Sequence, residues 1–195
     1  RIMKFSLGSK SFDATRVLET IALELPPRTI TLLSGPSGVG KSTLLRLIAG
    51  LEHDDSGIIQ NPGKIGMMFQ EPRLLPWKTV IENIEIAGPE NGWIDALGLG
   101  DARHAYPHQL SLGMARRAAF ARAVVSEPEL LILDEPFASL DETLVMRLIS
   151  MIVEIHHRYS CPIILTSHDL RYADALNARK VSLHGKPAKL LSIRA

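Results

Sequence analysis

ITLLSGPSGVGKSTLLRLIAGL, residues 30–51, places three things in immediate succession. ITLL is a short continuous apolar run of the buried-strand type, and LLRLIAGL has the apolar spacing of a helix that reaches Gly50 near its end. Between them GPSGVGKS, residues 35–42, satisfies G-x-x-x-x-G-K-[ST] in the context that motif requires, a strand before it and a helix after it. Small residues allow the backbone to wrap a phosphate chain closely, so that successive amides and the helix N-terminus face the anion. Lys41 adds a mobile positive charge at the terminal phosphates, and the Ser42 hydroxyl can bind Mg²⁺. The candidate nucleotide site is therefore Gly35, Pro36, Ser37, Gly38, Val39, Gly40, Lys41, Ser42 and Thr43. A glycine-rich turn with no ligand is the bland alternative, and the two flanks argue against it.

On both sides of this loop strands alternate with helices. Residues 1–34 read as strands separated by turns, with VLETIALEL partly alternating apolar and polar residues, and residues 56–69 read as two short strands around an Asn-Pro-Gly turn. From Glu71 to about Ser126 the pattern becomes helical; Thr79 and Glu82 form a capping box, and Gly88-Pro89 ends that helix. ELLILD and PIILTS are buried-strand candidates, ETLVMRLISMIVEIHHRY a long amphipathic helix, DLRYADALNA a short one, and a hairpin around His184–Pro187 closes the chain. This order predicts a mostly parallel sheet covered on both faces, with a helical insertion between about residues 71 and 115.

Composition limits the classes of function. A chain of 195 residues fits one large domain and can bury roughly 70% of its unfolded surface. The net charge of +1 gives no global electrostatic case for nucleic acid or anionic lipid. With one cysteine, Cys161, there is no internal disulfide, and its place before PIIL predicts a buried thiol in a reducing compartment. No apolar run approaches the roughly 20 residues needed to cross a bilayer, and no secretory leader is visible. The chain begins at Arg1 rather than methionine, which leaves the true N-terminus open. A cytoplasmic, soluble protein is expected.

The chemistry needs more than a phosphate cradle, and LLILDEP, residues 130–136, supplies it. An apolar strand ending in Asp134 delivers a carboxylate to the carboxyl edge of a parallel sheet, where ligands of α/β folds gather. Asp134 can reach Mg²⁺ directly or through water, and Glu135 can polarise an attacking water as general base. Gln70 after GMMF and His168 after IILTS sit at further strand ends, each within reach of a terminal phosphate or its water. Alone, either would be read as a satisfied turn residue.

With these parts in order the chain resembles the ATP-binding-cassette (ABC) ATPases over essentially its whole length. The resemblance rests on GPSGVGKST, FQEP with Gln70, LSLGM at 110–114, LLILDEP, ASLD at 138–141 and TSHD with His168. It implies an α/β fold: a P-loop NTPase (RecA-like) core within a single domain, residues 1–195. An N-terminal antiparallel β subdomain would draw on residues 1–33 and 52–69, and a helical subdomain would span about 71–115. It also implies ATP and Mg²⁺, with Ser42, Gln70 and Asp134 at the metal and Glu135, His168 and Gln70 as catalytic groups. Ser111 and Gly113 would point at the γ-phosphate of ATP held by a second copy, two chains sandwiching nucleotide head to tail. Asp141 would lie at that interface, and Phe12, in SKSF, aligns with the aromatic that stacks on adenine.

FQEPRLLPW and HGKPAKLL are similar to the import ATPases of the nitrate, sulfonate and taurine class. The partners so implied are integral membrane permease subunits and a solute-binding protein, with this chain held peripherally on the inner face of the membrane. Leu74, Leu75, Pro76 and Trp77 form a compact apolar stretch suited to docking a permease helix or, equally, to internal packing. Two departures from the family pattern stand out: a helical insertion shorter than in most relatives, and Leu112 where the signature normally has its first glycine. A left-handed conformation at Leu112 would cost roughly 1–2 kcal/mol, and its side chain would crowd a bound nucleotide. The function expected is the ATP-hydrolysing subunit of an importer of a small polar or anionic solute. The rival from another class is an ATP-dependent dimerisation switch in assembly or regulation. A DNA-repair role lacks a coiled-coil insertion and a basic stripe, and a phosphotransferase would have no use for the Ser111–Gly113 turn.

Overall fold

Four strands open the chain: β1 (Met3–Leu7), β2 (Lys10–Phe12), β3 (Thr15–Leu18) and β4 (Ile21–Leu25). The coordinates are a computed structural model in which residues 2–57 and 63–193 are described. β1 and β4 pair antiparallel from Met3 opposite Leu25 to Leu7 opposite Ile21. Their alternation buries Phe5, Leu7, Ile21, Leu23 and Leu25 on one face and leaves Lys4, Ser6, Ala22 and Glu24 outside. β2 and β3 form a hairpin of their own. VLETIALEL is thus two strands, not one alternating segment, broken at Glu19 and Thr20.

The apolar run of the opening motif becomes β5 (Ile30–Ser34), and the helix after the loop is α1 (Lys41–Ile48), followed by Gly50 with φ 66°. β6 (Ile65–Met68) is the second of the two strands expected in residues 56–69. The first of them and the Asn61-Pro62 turn fall outside the described residues. Then come α2 (Val80–Glu85), α3 (Trp93–Ala96), two single 3₁₀ turns and α4 (Leu112–Val124). The Thr79–Glu82 capping box is present, with the Thr79 hydroxyl accepting from the Glu82 amide and the Glu82 carboxylate accepting from the Thr79 amide. The remaining elements are β7 (Leu130–Leu133), α5 (Glu142–Tyr159), β8 (Ile163–Thr166), α6 (Arg171–Ala175), β9 (Arg179–His184) and β10 (Lys189–Ile193).

Six strands form one sheet in the order β10-β9-β5-β8-β7-β6, parallel throughout except for β10 on the edge. Its central strands are buried on both faces, which is why they read as unbroken apolar runs. On β7, Leu131 and Leu133 face one core with Phe120, Leu148 and Ile152, while Leu130 and Ile132 face another with Leu44, Leu45 and Ile48. This is the α/β P-loop architecture expected from the sequence. Because β5, β6, β7 and β8 run parallel, the loops that follow them all emerge at one edge of the sheet. Among the described residues no helix is long and apolar enough to cross a membrane.

Candidate functional site

That shared edge forms a cavity of about 370 Å³ lined by Phe12, Val17, Ser37, Gly38, Gly40, Lys41, Ser42, Thr43, Gln70, Asp134, Glu135 and His168. Each of the four strand ends contributes: the glycine loop after β5, Gln70 after β6, Asp134 and Glu135 after β7, and His168 after β8. The loop needs its glycines. Gly40 has φ 110°, and Gly38, with φ 72°, has nothing within 4 Å of where a Cβ would stand, so the backbone there is open to an incoming group. Lys41 is buried, and its Nζ donates to the carbonyls of Gly35 at 2.9 Å and Pro36 at 3.1 Å, bracing the loop from inside. Gly35, Pro36 and Val39 shape the loop without lining the cavity; Val39 packs into the core.

Thr166 ties the two acids together. Its hydroxyl donates to Asp134 Oδ1 and accepts from the Glu135 amide, both at 2.8 Å. Glu135 itself has φ 52°, a conformation that a non-glycine residue holds only when its surroundings fix it. Its carboxylate is buried and lies 3.2 Å from His168 Nε2. Burial pushes the Glu135 carboxyl above the ordinary glutamate range, against the pull of His168 and Lys41 and with the help of the neighbouring Asp134 charge. Phe12 is 44% exposed, with the Lys10 ammonium 4.9 Å from its ring centroid, and offers an aromatic face beside the loop.

Ser111, Gly113 and Asp141 line no part of this cavity. Ser111 caps α4, its hydroxyl accepting from the Met114 amide, and Asp141 caps α5 by accepting from the Leu144 amide. The two turns adjoin: a Cβ on Gly113 would stand 3.5 Å from a Leu140 side-chain methyl and 3.6 Å from the Ser139 carbonyl. Leu112 is the first residue of α4 and is not among the residues with positive φ. The cost that a left-handed conformation would impose there therefore does not arise, because Leu112 and Gly113 already form the first turn of the helix that Ser111 caps. The Leu112 side chain is 52% exposed.

A second, apolar groove of about 310 Å³ is lined by Leu51, Ile65, Met67, Phe69, Ala87 and Arg122 among others. Phe69 on this groove and Gln70 in the first cavity are consecutive residues. The Leu74–Trp77 stretch lines neither; Leu74 packs against the core, while Trp77 is 69% exposed. Sequence reading did not single out Thr166, Val17 or Arg116 for the site. A polar residue closing an apolar strand was the available signal for Thr166.

Residues 18–138 match the family model described as ABC transporter. The chain belongs to the ABC transporter family. It is 41% identical to the aliphatic sulfonates import ATP-binding protein SsuB 1 of Pseudomonas aeruginosa (strain UCBPP-PA14) over 93% of its own length and 81% of that relative's. It is 42% identical to SsuB 2 of Agrobacterium fabrum, over 88% of this chain and 72% of the relative. In fold it matches the dimeric structure of MJ0796, a bacterial ABC transporter cassette, with a TM-score of 0.83, 22% identity and full coverage of both chains. A post-hydrolysis state of that cassette bound to ADP and Pi matches equally well. The family expected from the motifs is the one found, and ATP binding and hydrolysis come with it.

Proposed function

We propose that this member of the family hydrolyses ATP to drive import of a small anionic solute of the sulfonate kind through separate membrane subunits. One observation carries the reading: four separate strand ends bring a phosphate loop, a cation, two acids, a glutamine and a histidine into one cavity. In this reading Glu135 directs water at the terminal phosphate, and His168 and Gln70 hold it in line. Lys41 meets the phosphates, and Phe12 stacks on the base. The cavity suits magnesium as well, since Ser42, Gln70 and Asp134, residues that carry a hydroxyl, an amide and a carboxylate, line it together. No cluster of three or more His, Cys, Asp or Glu among the described residues offers a self-sufficient metal cage. One carboxylate with a hydroxyl is the ligand set of an ion that shares its coordination with substrate phosphates. Bound there, magnesium supplies charge neutralisation at those phosphates.

The outward-facing Ser111–Gly113 turn and Asp141 would complete the site of a second copy. Residues 1–33 with 52–69 would form the β subdomain and residues 71–115 the helical one within the single domain 1–195. The apolar groove beside Phe69 would seat a permease segment, holding the chain on the inner membrane face, and a solute-binding protein would deliver the solute from outside. The test is Glu135→Gln, measured for ATP turnover and for mass in solution with MgATP. Turnover should fall by about 10²–10⁴-fold while the protein accumulates as an ATP-bound dimer. Turnover near that of the unaltered chain would remove Glu135 from its role.

A further inference from the structure

Arg116 is 7% exposed, a buried cation on α4 whose other buried positions are all apolar: Ala118, Ala119, Phe120, Ala121, Ala123 and Val124. Burying a guanidinium is expensive unless its donors are used. No carboxylate forms an ion pair with it among the described residues. Its Nη1 donates instead to the backbone carbonyl of Glu135 at 3.0 Å, and its Nε is buried without a hydrogen-bond partner. The Glu135 backbone is thereby held on two sides, its amide by Thr166 from β8 and its carbonyl by Arg116 from α4, while its carboxylate lies 3.2 Å from His168 Nε2 without a hydrogen bond to Oε1. The grip fixes a residue whose left-handed φ the chain would not choose unaided.

We infer that Arg116 is a positioning residue for Glu135, making the aim of that carboxylate depend on the placement of α4. Α4 is also the helix that starts at Ser111. The turn offered to a second chain and the acid of this chain's own cavity are thus joined through one rigid element and one charge-assisted hydrogen bond. Seating the turn on a partner's nucleotide would set the acid in the first chain, so that each half-site reports its occupancy to the other. The inference rests on the reading of Glu135 as the group that directs water.

Arg116→Met removes every donor at similar length, whereas Arg116→Gln keeps an amide able to reach the same carbonyl. Both are to be measured for kcat and KM of ATP hydrolysis, binding of a fluorescent ATP analogue with magnesium, and thermal midpoint. The Met variant should lose on the order of 10–100-fold in kcat while KM and analogue binding stay within about twofold, and the Gln variant should regain most of the loss. In a Glu135→Gln background Arg116→Met should change the residual rate no further, because it acts through Glu135. Unchanged kcat in the Met variant, or an equal further loss in the Glu135→Gln background, would overturn the inference. If Met at this position prevents folding, Arg116→Lys, which keeps a cationic donor for the Glu135 carbonyl, should hold kcat within a few-fold of the unaltered chain, and a loss of about 10–100-fold in kcat at unchanged KM in that variant would overturn the inference. Full turnover by Glu135→Gln alone would instead sink the reading of Glu135. An inactive Glu135→Gln beside a fully active Arg116→Met would sink only the present inference.

Discussion

Glu135 sits where three demands conflict. It must follow a buried strand, take a left-handed φ of 52° and keep an acid in the cavity, and burial raises its carboxyl above the usual range. A carboxyl whose affinity for protons is raised by folding stabilises the fold below its ordinary range, and that contribution disappears as pH rises through the raised value. In the nucleotide-free protein the ionised side chain therefore opposes folding near neutrality. Glu135→Gln should be the more stable protein at about pH 8 in denaturant unfolding, with its advantage shrinking toward about pH 4. Stability curves for the two proteins that run parallel across that interval would refute the account. Glu135 and Asp134 were legible in the sequence because a chemical role dictates both residue types and they stand side by side. Thr166 and Arg116 were not, since they meet Glu135 across separations of 31 and 19 residues that only the strand order closes.

At the scale of elements, α4 is held by three arginines. Arg116 reaches the carbonyl of Glu135, Arg117 those of Leu97 and Gly98, and Arg122 those of Pro72 and Arg73 just past Gln70. Burial lowers the proton affinity of the Arg122 guanidinium, yet it remains a cation whose donors two carbonyls satisfy. The same helix carries Leu112 on its exposed first turn, where its φ is unstrained. Leu112→Gly therefore relieves nothing inside the chain and weakens the helix by up to about 1 kcal/mol in denaturant unfolding. Turnover should nonetheless rise, because an exposed side chain leaves the surface proposed to meet a partner's nucleotide. A rate unchanged or slower in that variant would show that Leu112 does not crowd the site. Local devices such as the Thr79–Glu82 capping box were fully legible, because both partners lie within one turn. The break in VLETIALEL was hidden. It is made by a distant segment, the Glu19 amide donating to the Ala188 carbonyl at 2.9 Å.

Across the whole molecule, the residues around the phosphate loop share one cavity, while the Ser111–Gly113 turn and Asp141 stand apart from it on the caps of α4 and α5. No rearrangement within one chain is asked for if a second copy supplies the turn, and a two-fold axis then builds two identical sites from two incomplete chains. Complementation separates this arrangement from a self-sufficient monomer. Lys41→Ala disables the cradle, and Gly113→Asp places a carboxylate on the turn, where a Cβ has ordinary packing room. Each variant alone should be inactive. Mixed in equal amounts, about half of the dimers pair one of each, and every such pair has one site with both parts intact. The mixture should recover up to about a quarter of the activity of the unaltered chain. Recovery should also rise with the square of protein concentration where dimers are scarce. A mixture as inactive as its components would mean that the turn and the cradle serve the same chain, and a Gly113→Asp protein that turns over normally by itself would mean that the turn serves neither.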